Sequence, residues 1–487
     1  MAIGPAIIIG AGAAGLAAAR YLSRAGCEVI VLEARDRIGG RVYTHRDPES
    51  PVPIELGAEF VHGKSPALWQ IATAANLKLH KVSGRHWYFD NGKISKSHDF
   101  WKSIESLMDQ MKSSPADQSV RDFLKGLPDD QETARAKAMV TRYVEGFQAA
   151  NIDRIGVRGL IAFNEASDSI EGDTSFRFEN GYVSLMQALR AEAESCGVRF
   201  HLKTIVKKIH WAGEQATVVC EPAGDPDVKR SRAHNEYLGS AILITVPLSI
   251  LQRDSSDGGI VFAPDLPVSK QVAISRLVMG NVLKINLRFR ERFWEEAKLW
   301  DDQAERVSFK DAGFFHYPEA PLPTWWTQLP IRAPLLVGWA GGPRVDWVRH
   351  PTLREGAGMR PLAVASGYSD RLTHLADGSD ISDSLLAQAI DSLARVFNIA
   401  PSEVSAQLQA SYIHDWHSDP FSLGAYSYVP VNGLEAQQVL AQSLDNKLFF
   451  AGEATSVGHI GTVHGAIQSG ERTAREILNI KRMRADM

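Results

Sequence analysis

The sequence predicts an α/β fold: a Rossmann-like dinucleotide-binding domain with a second, α+β substrate domain interleaved into it. Three observations carry this. A four-residue apolar run, Ala6 to Ile9, leads into glycines at positions 10, 12 and 15 and then into an alanine-rich helical stretch. A second apolar run, Glu28 to Leu32, ends on the acid Glu33. Near residue 80 this pattern gives way to long charged helical stretches, and short apolar strands return near residue 198 and again at Leu448. The expected division is residues 1–79, 196–275 and 425–487 for the dinucleotide domain, and 80–195 and 276–424 for the substrate domain.

Each glycine of the opening stretch has a physical role. Gly10 allows the tight turn. Gly12 lets backbone approach a pyrophosphate, which sits where the free N–H groups of the helix start, around Ala13 and Ala14, favour an anion. Gly15 lets helix and strand pack closely. Glu33, 18 positions after Gly15, can accept hydrogen bonds from a ribose. Ala34, Arg35, Arg37, Gly39, Gly40 and Arg41 extend the anion site past the second strand. The triplet alone fits NAD as well as FAD.

Composition narrows the classes. At 487 residues the chain exceeds one simple core. Hydrophobic content of 44%, charged content of 23% and a net charge of −4 are those of a globular enzyme and give no reason to expect nucleic acid or an anionic membrane as partner. Cys27, Cys196 and Cys220 have neither paired nor metal-like spacing, which fits a reducing cytoplasm. No run of about 18 apolar residues occurs, so the expectation is a cytoplasmic protein off the membrane, with a homodimer left open. Lys481, Arg482 and Arg484 read as a solvated basic tail.

Later stretches add detail. Trp87 to Phe89 precede an Asn91-Gly92 turn, and Phe100 to Lys112 and Asp129 to Tyr143 have helical patterns. Val198 to Leu202 and Val206 to Trp211 read as strands, and the stretch Ala241 to Leu251 as a buried strand ending at Pro247. Ile285, Leu287 and Phe289 alternate with polar residues, the pattern of a half-buried strand. The segment 344–371 is polar and irregular, and Ser382 to Phe397 is an amphipathic helix. His459 and His464 lack a third ligand, so no metal is expected.

The acid at the strand end followed by R-x-G-G-R (Arg37 to Arg41) resembles the flavoprotein amine oxidase family, which includes monoamine oxidases, polyamine oxidases and flavin-dependent histone demethylases. The resemblance implies FAD, its adenosine and pyrophosphate held by the residues from Gly10 to Arg41 named above. Ile54 to Gly63 (IELGAEFVHG) is similar to the segment beside the flavin ring. It implies cofactor contacts from Gly57, Ala58 and Glu59, and puts His62 where polyamine oxidases carry a substrate-facing His or Glu. Val206 matches the backbone position that holds adenine. Gly280 to Lys284 resembles the G-x-x-x-K segment whose lysine holds a water against the reactive flavin nitrogen.

Trp416 to Pro430 resembles W-x-x-D-P followed by G-x-Y-S-Y. It implies that Trp416 helps shape the site and that Tyr426 is one wall of an aromatic cage. Ala425, where animal monoamine oxidases carry a flavin-linking cysteine, implies non-covalent FAD. Gly452 and Glu453 match residues near the ribityl chain. Gly461, Thr462 and Val463 open a helix aimed at the pyrimidine edge of the flavin, with Thr462 where monoamine oxidases have a second cage tyrosine. Gly338 to Gly342, after the aromatic stretch Phe314 to Trp326, resembles the sheet that floors the substrate cavity.

The implied activity is that of an FAD-dependent amine oxidase. It takes a small-molecule amine and oxygen, and makes an imine, then an aldehyde or ketone, and hydrogen peroxide. A polyamine oxidase and an L-amino acid oxidase are alternatives; a carotenoid-type desaturase shares the N-terminal motif but would not need Lys284 or Tyr426, and a flavin-free escort module of the same fold is a remote alternative. The lack of a long coiled-coil insertion argues against a histone demethylase.

Overall fold

The computed structural model describes residues 4–90, 93–96, 99–223, 235–301, 305–349, 373–375 and 381–485. Its first sheet is parallel, with five strands in the order Arg199–His201, Val29–Leu32, Ala6–Ile9, Ala241–Ile244 and Leu448–Phe450. The strands come from three separated stretches of chain. Successive side chains of a strand point to opposite faces, and here both faces are covered. Ala6, Ile8, Val29, Val31, Ala241, Leu243 and Phe449 join the core beneath the helices Ala13–Arg24, Val183–Ser195 and Val463–Ala485. Ile7, Ile9, Ile30, Leu32, Ile242, Ile244, Leu448 and Phe450 join a second core on the other face. That is why these strands read as continuous apolar runs.

A four-stranded sheet, Asn235–Gly239, Ala216–Pro222, Thr204–His210 and Val261–Ala263, packs its apolar side into that second core. A large mixed sheet of eight strands forms the rest of the frame. Its centre is Val282–Phe289, paired antiparallel with Leu335–Gly341 on one side and Leu408–Ile413 on the other. Its far end carries Thr324–Trp326, Ala312–His316 and Arg85–Asp90.

Four expectations change. The strand expected to end at Pro247 stops at Ile244, and Pro247 is the N-cap of the helical turn Leu248–Leu251; with no N–H, proline cannot donate to a strand ladder. The strand expected over Val206–Trp211 runs Thr204–His210. Val282–Phe289 is buried on both faces, not one. Its polar side chains have internal partners: Lys284 meets Glu59, Asn286 donates to the Glu55 carbonyl, and Arg288 pairs with Asp47 and Glu49. Within 344–371, Arg344–Arg349 is a short helix, while 350–371 and the Asn91-Gly92 turn lie outside the described residues.

The glycine turn is set by contact. A Cβ built on Gly15 would lie 2.0 Å from the Gly10 carbonyl oxygen and 3.0 Å from Thr245 Oγ1. Gly10 itself has φ +106°, a conformation glycine adopts without strain. Substituting Gly15→Ala is expected to part the helix from the strand. It should cost about 1–3 kcal/mol and empty the cleft of cofactor. A lowered melting temperature and loss of flavin absorbance in the purified protein check this; a yellow protein with unchanged melting temperature refutes it.

Candidate active site

The cleft begins where the first sheet ends. Helix Ala13–Arg24 starts at Gly12 with no side-chain cap, so its first N–H groups are open to an anionic ligand. A Cβ on Gly12 would meet nothing within 4 Å, and the same holds for Gly452; these bare backbones face space, not protein. Glu33 is fixed between the N–H groups of Ala11 (2.7 Å) and Arg35 (2.8 Å), and burial raises its carboxyl above the usual range. Gly10, Gly12, Ala13, Ala14, Glu33, Ala34, Arg35, Gly40, Arg41, Gly57, Ala58, Val206, Gly452, Glu453, Gly461, Thr462 and Val463 all line one cavity of about 1440 Å³. That exceeds the several hundred Å³ of an ordinary small-ligand pocket and leaves room for an extended dinucleotide with a second ligand. Gly15 alone of the expected cofactor set lies behind the wall, packed on Gly10.

Two expected contacts have other partners. The Arg35 guanidinium is bidentate to Asp419 (2.6 and 2.7 Å) and also donates to Ser422 Oγ. It offers the cleft a paired cation instead of an open fork. Arg41 donates to Glu453 (2.9 Å) and to the Ala425 carbonyl (2.8 Å). Glu453 also accepts from Ser427 Oγ and from the Gly461 N–H, both at 2.9 Å. Arg41 and Glu453 thus tie the glycine-rich arm to the last two site segments. Thr462 Oγ1 accepts the Gly465 N–H at 3.0 Å, so its hydroxyl caps the helix that starts at Val463.

Past the glycine arm the cavity becomes aromatic. Gly57 is forced by close approach: a Cβ there would lie 2.0 Å from the Arg41 carbonyl and 3.1 Å from the Trp416 ring. Trp416, whose indole donates to the Leu56 carbonyl at 2.8 Å, forms the wall beside it. Lys284 Nζ contacts the Glu59 carboxylate at 2.7 Å and the Gly57 carbonyl at 3.1 Å. Glu59 further accepts from Arg177 Nε (2.7 Å) and Trp326 Nε1 (2.9 Å). One buried carboxylate thus holds two buried cations. Burial pushes its pKa up, but Lys284 and Arg177 outweigh that and bring it to about 2. Glu59 was expected beside the cofactor; it lines the cavity, but its carboxylate is the counter-ion of Lys284.

The Tyr426 hydroxyl donates to the Phe147 carbonyl at 2.7 Å, and burial raises its pKa. His62 Nδ1 lies 3.1 Å from Ser175 Oγ, and its ring packs against Phe60 and Phe147; burial lowers its pKa to about 4, so it is neutral at physiological pH. His459 and His464 contact each other at 3.2 Å. Among the described residues no group of three metal-ligating side chains occurs, and no helix is long and apolar enough to cross a membrane.

Sequence reasoning missed Arg177, His86 and His316. His86 with Tyr88, and Phe314 with His316, are spaced by two in their strands and face the cavity together, while Trp87 and Phe315 between them are core. That period was legible; which face met the cavity was not.

Fold and cleft define a dinucleotide-binding protein with an attached aromatic cavity. The chain belongs to the flavin containing amine oxidoreductase family, whose profile matches residues 13–478, and its cofactor is FAD. Among curated relatives, a lysine-specific histone demethylase 1 homolog 3 of Arabidopsis thaliana is 26% identical over 98% of this chain and 30% of its own length. Lysine-specific histone demethylase 2 of Homo sapiens is 28% identical over 97% of this chain and 53% of its own length. The chain spans about half the length, or less, of these relatives. Among solved structures, a putrescine oxidase bound to putrescine superposes with TM-score 0.74 at 19% identity, covering 98% of this chain and 99% of that one. Cyclohexylamine oxidase from Brevibacterium oxydans superposes with TM-score 0.71 at 20% identity, covering 99% of this chain and all of that one. These two share the fold.

Replacing Glu59 by Gln leaves Lys284 and Arg177 buried without their shared anion, a loss of about 3–5 kcal/mol. The contribution has a pH signature. A carboxyl held at about 2, against 4.5 when free, stabilises the fold fully above 4.5 and loses that contribution as pH falls towards 2. Denaturant melts of both proteins should therefore differ most at neutral pH and converge below pH 4. A gap that stays constant down to pH 3 refutes the assignment.

Proposed function

We propose that this protein is an FAD-dependent amine oxidase acting on a small-molecule amine, with oxygen as electron acceptor. The observation that carries the reading is Lys284, a buried ammonium fixed by Glu59 and Gly57 in a cavity whose other walls are Trp326, Trp416 and Tyr426. FAD, held by the glycine arm and the segments around Gly57, Gly452 and Gly461, would supply the oxidising chemistry: two-electron oxidation of the amine to an imine, hydrolysed to an aldehyde or ketone, with oxygen reduced to hydrogen peroxide.

The chain's own residues prepare that step. A substrate arrives as an ammonium and must lose a proton before its nitrogen lone pair can assist. Rings in place of water around the amine disfavour its charged form, and the neutral imidazole of His62 adds no charge to stabilise it. The ring faces of Tyr426 and Trp416 are suited to an amine in either state, and the bonds to Phe147 and Leu56 fix them. Lys284 has a third proton beyond those given to Glu59 and Gly57, which can hold a water or oxygen at one place. Helix Val463–Ala485, capped by Thr462, turns its positive end to the cleft, where developing negative charge is favoured. Ala425, in place of a cysteine, supports non-covalent attachment. The segments 1–79, 196–275 and 425–487 would hold the cofactor, and 80–195 and 276–424 would recognise the substrate.

The test is anaerobic mixing of the yellow protein with primary amines, polyamines, amino acids and a methyl-lysine peptide. Bleaching of the flavin by a small amine, with peroxide on admitting air, is the expected result. Reduction by the peptide alone, or by none of them, refutes the reading. Lys284→Met should keep FAD bound yet slow flavin reoxidation by at least about tenfold in stopped-flow absorbance; an unchanged rate removes Lys284 from the chemistry.

A further inference from the structure

Four rings from two neighbouring strands form a ladder along one cavity wall. His86 stacks on Phe314 at 4.4 Å and 18°, and His316 stacks on Tyr88 at 4.6 Å and 18°. The two imidazoles lie 5.2 Å apart, with His86 Nδ1 and His316 Nε2 at 3.0 Å. All four residues line the cavity that holds Lys284 and Tyr426. The ladder is continuous with the reaction end. Phe314 lies 6.3 Å from Trp326, and Trp326 lies beneath Lys284 Nζ at 5.7 Å.

A hydrogen bond between two neutral imidazoles has a consequence. Each ring uses one nitrogen on the other, so His86 Nε2 and His316 Nδ1 remain. In either tautomer one of these is a donor and the other an acceptor. Burial keeps both rings neutral, with His86 lowered to about 4. His316 is lowered further by its partner and by the charge of Arg142, another cavity residue. The ligand group that matches a donor and an acceptor together is a hydroxyl. A second ammonium matches only the acceptor. The flat ring wall suits an aromatic body between hydroxyl and amine.

We propose that His86 and His316 form a subsite that reads a hydroxyl at the far end of a ring-bearing amine substrate. The proposal rests on the amine oxidase reading, but its test does not need turnover. The holoenzyme is titrated with 4-ethylphenol and with ethylbenzene, which carry no amine, and the shift of the flavin spectrum gives each affinity. The phenol should bind about tenfold tighter, the effect of one or two buried hydrogen bonds. In His86→Phe, and separately in His316→Phe, the stack keeps its rings and the ratio of the two affinities should fall to near one. Equal binding in the wild type, or a ratio that survives both substitutions, overturns the subsite whatever the amine panel shows. A 1,4-diammonium ligand bound more tightly than the phenol overturns it too. In turnover, 4-hydroxyphenethylamine should exceed phenethylamine in kcat/KM by a similar factor. If the phenol preference holds while no amine bleaches the flavin, the oxidase reading fails and the subsite stands.

Discussion

The structure is organised by one buried carboxylate. Glu59 sits on the loop after the strand Ile54–Glu55, yet it binds Lys284 from the centre of the large sheet, Arg177 from the strand Ser175–Phe178 and Trp326 from the strand Thr324–Trp326. Three segments distant from it in sequence therefore converge on its two oxygen atoms. Two cations and one anion in a low-dielectric interior attract strongly, but each ion also gave up its hydration, so the arrangement is tolerable only because all the partners are present. Its consequence is positional: Lys284 Nζ has one place to be, beside the glycine backbone at the cleft.

The cleft itself is built by subtraction of side chains. Gly12 and Gly452 present bare backbone to open space, whereas Gly15 and Gly57 are glycines because neighbouring carbonyl oxygens would collide with anything larger. The first pair makes room for a ligand and the second makes room for the protein. Beyond them the cavity wall around Lys284 is lined by rings, among them Trp326, Trp416, Tyr426 and His62. Burial holds His62 and His86 near 4 and raises the phenol of Tyr426. Where these groups form the wall, recognition falls to ring faces and to single donors and acceptors.

Glu55 makes the contrast within the same neighbourhood. Thr44 Oγ1 and the Tyr182 N–H serve it at 2.8 and 2.7 Å, yet burial dominates and raises its pKa to about 7. Glu59, four residues on, faces two cations and falls to about 2. The two carboxyls differ because of what packs against each, not because of local sequence.

What the sequence determined by itself is local and periodic. The Ala6–Ile9 run, the glycine spacing and the acid at position 33 specify a strand–turn–helix–strand unit, because each demand is met within about thirty residues. The similarity of Lys284, Trp416 and Tyr426 to family positions was likewise visible, and all three line the cavity. What only the tertiary structure decided is partnership. Alternation in Ile285, Leu287 and Phe289 pointed to one wet face, but Glu59, the Glu55 carbonyl, Asp47 and Glu49 arrive from elsewhere and bury Lys284, Asn286 and Arg288. Arg35 read as part of the anion site, and nothing in the sequence told that Asp419, 384 residues later, pairs with it. His86 and His316 carried a period of two that any surface strand could show. Their meaning came when two strands 230 residues apart paired in register. A charge or a ring in sequence has a type but no neighbour, and in a folded interior the neighbour sets its ionisation, its orientation and its use.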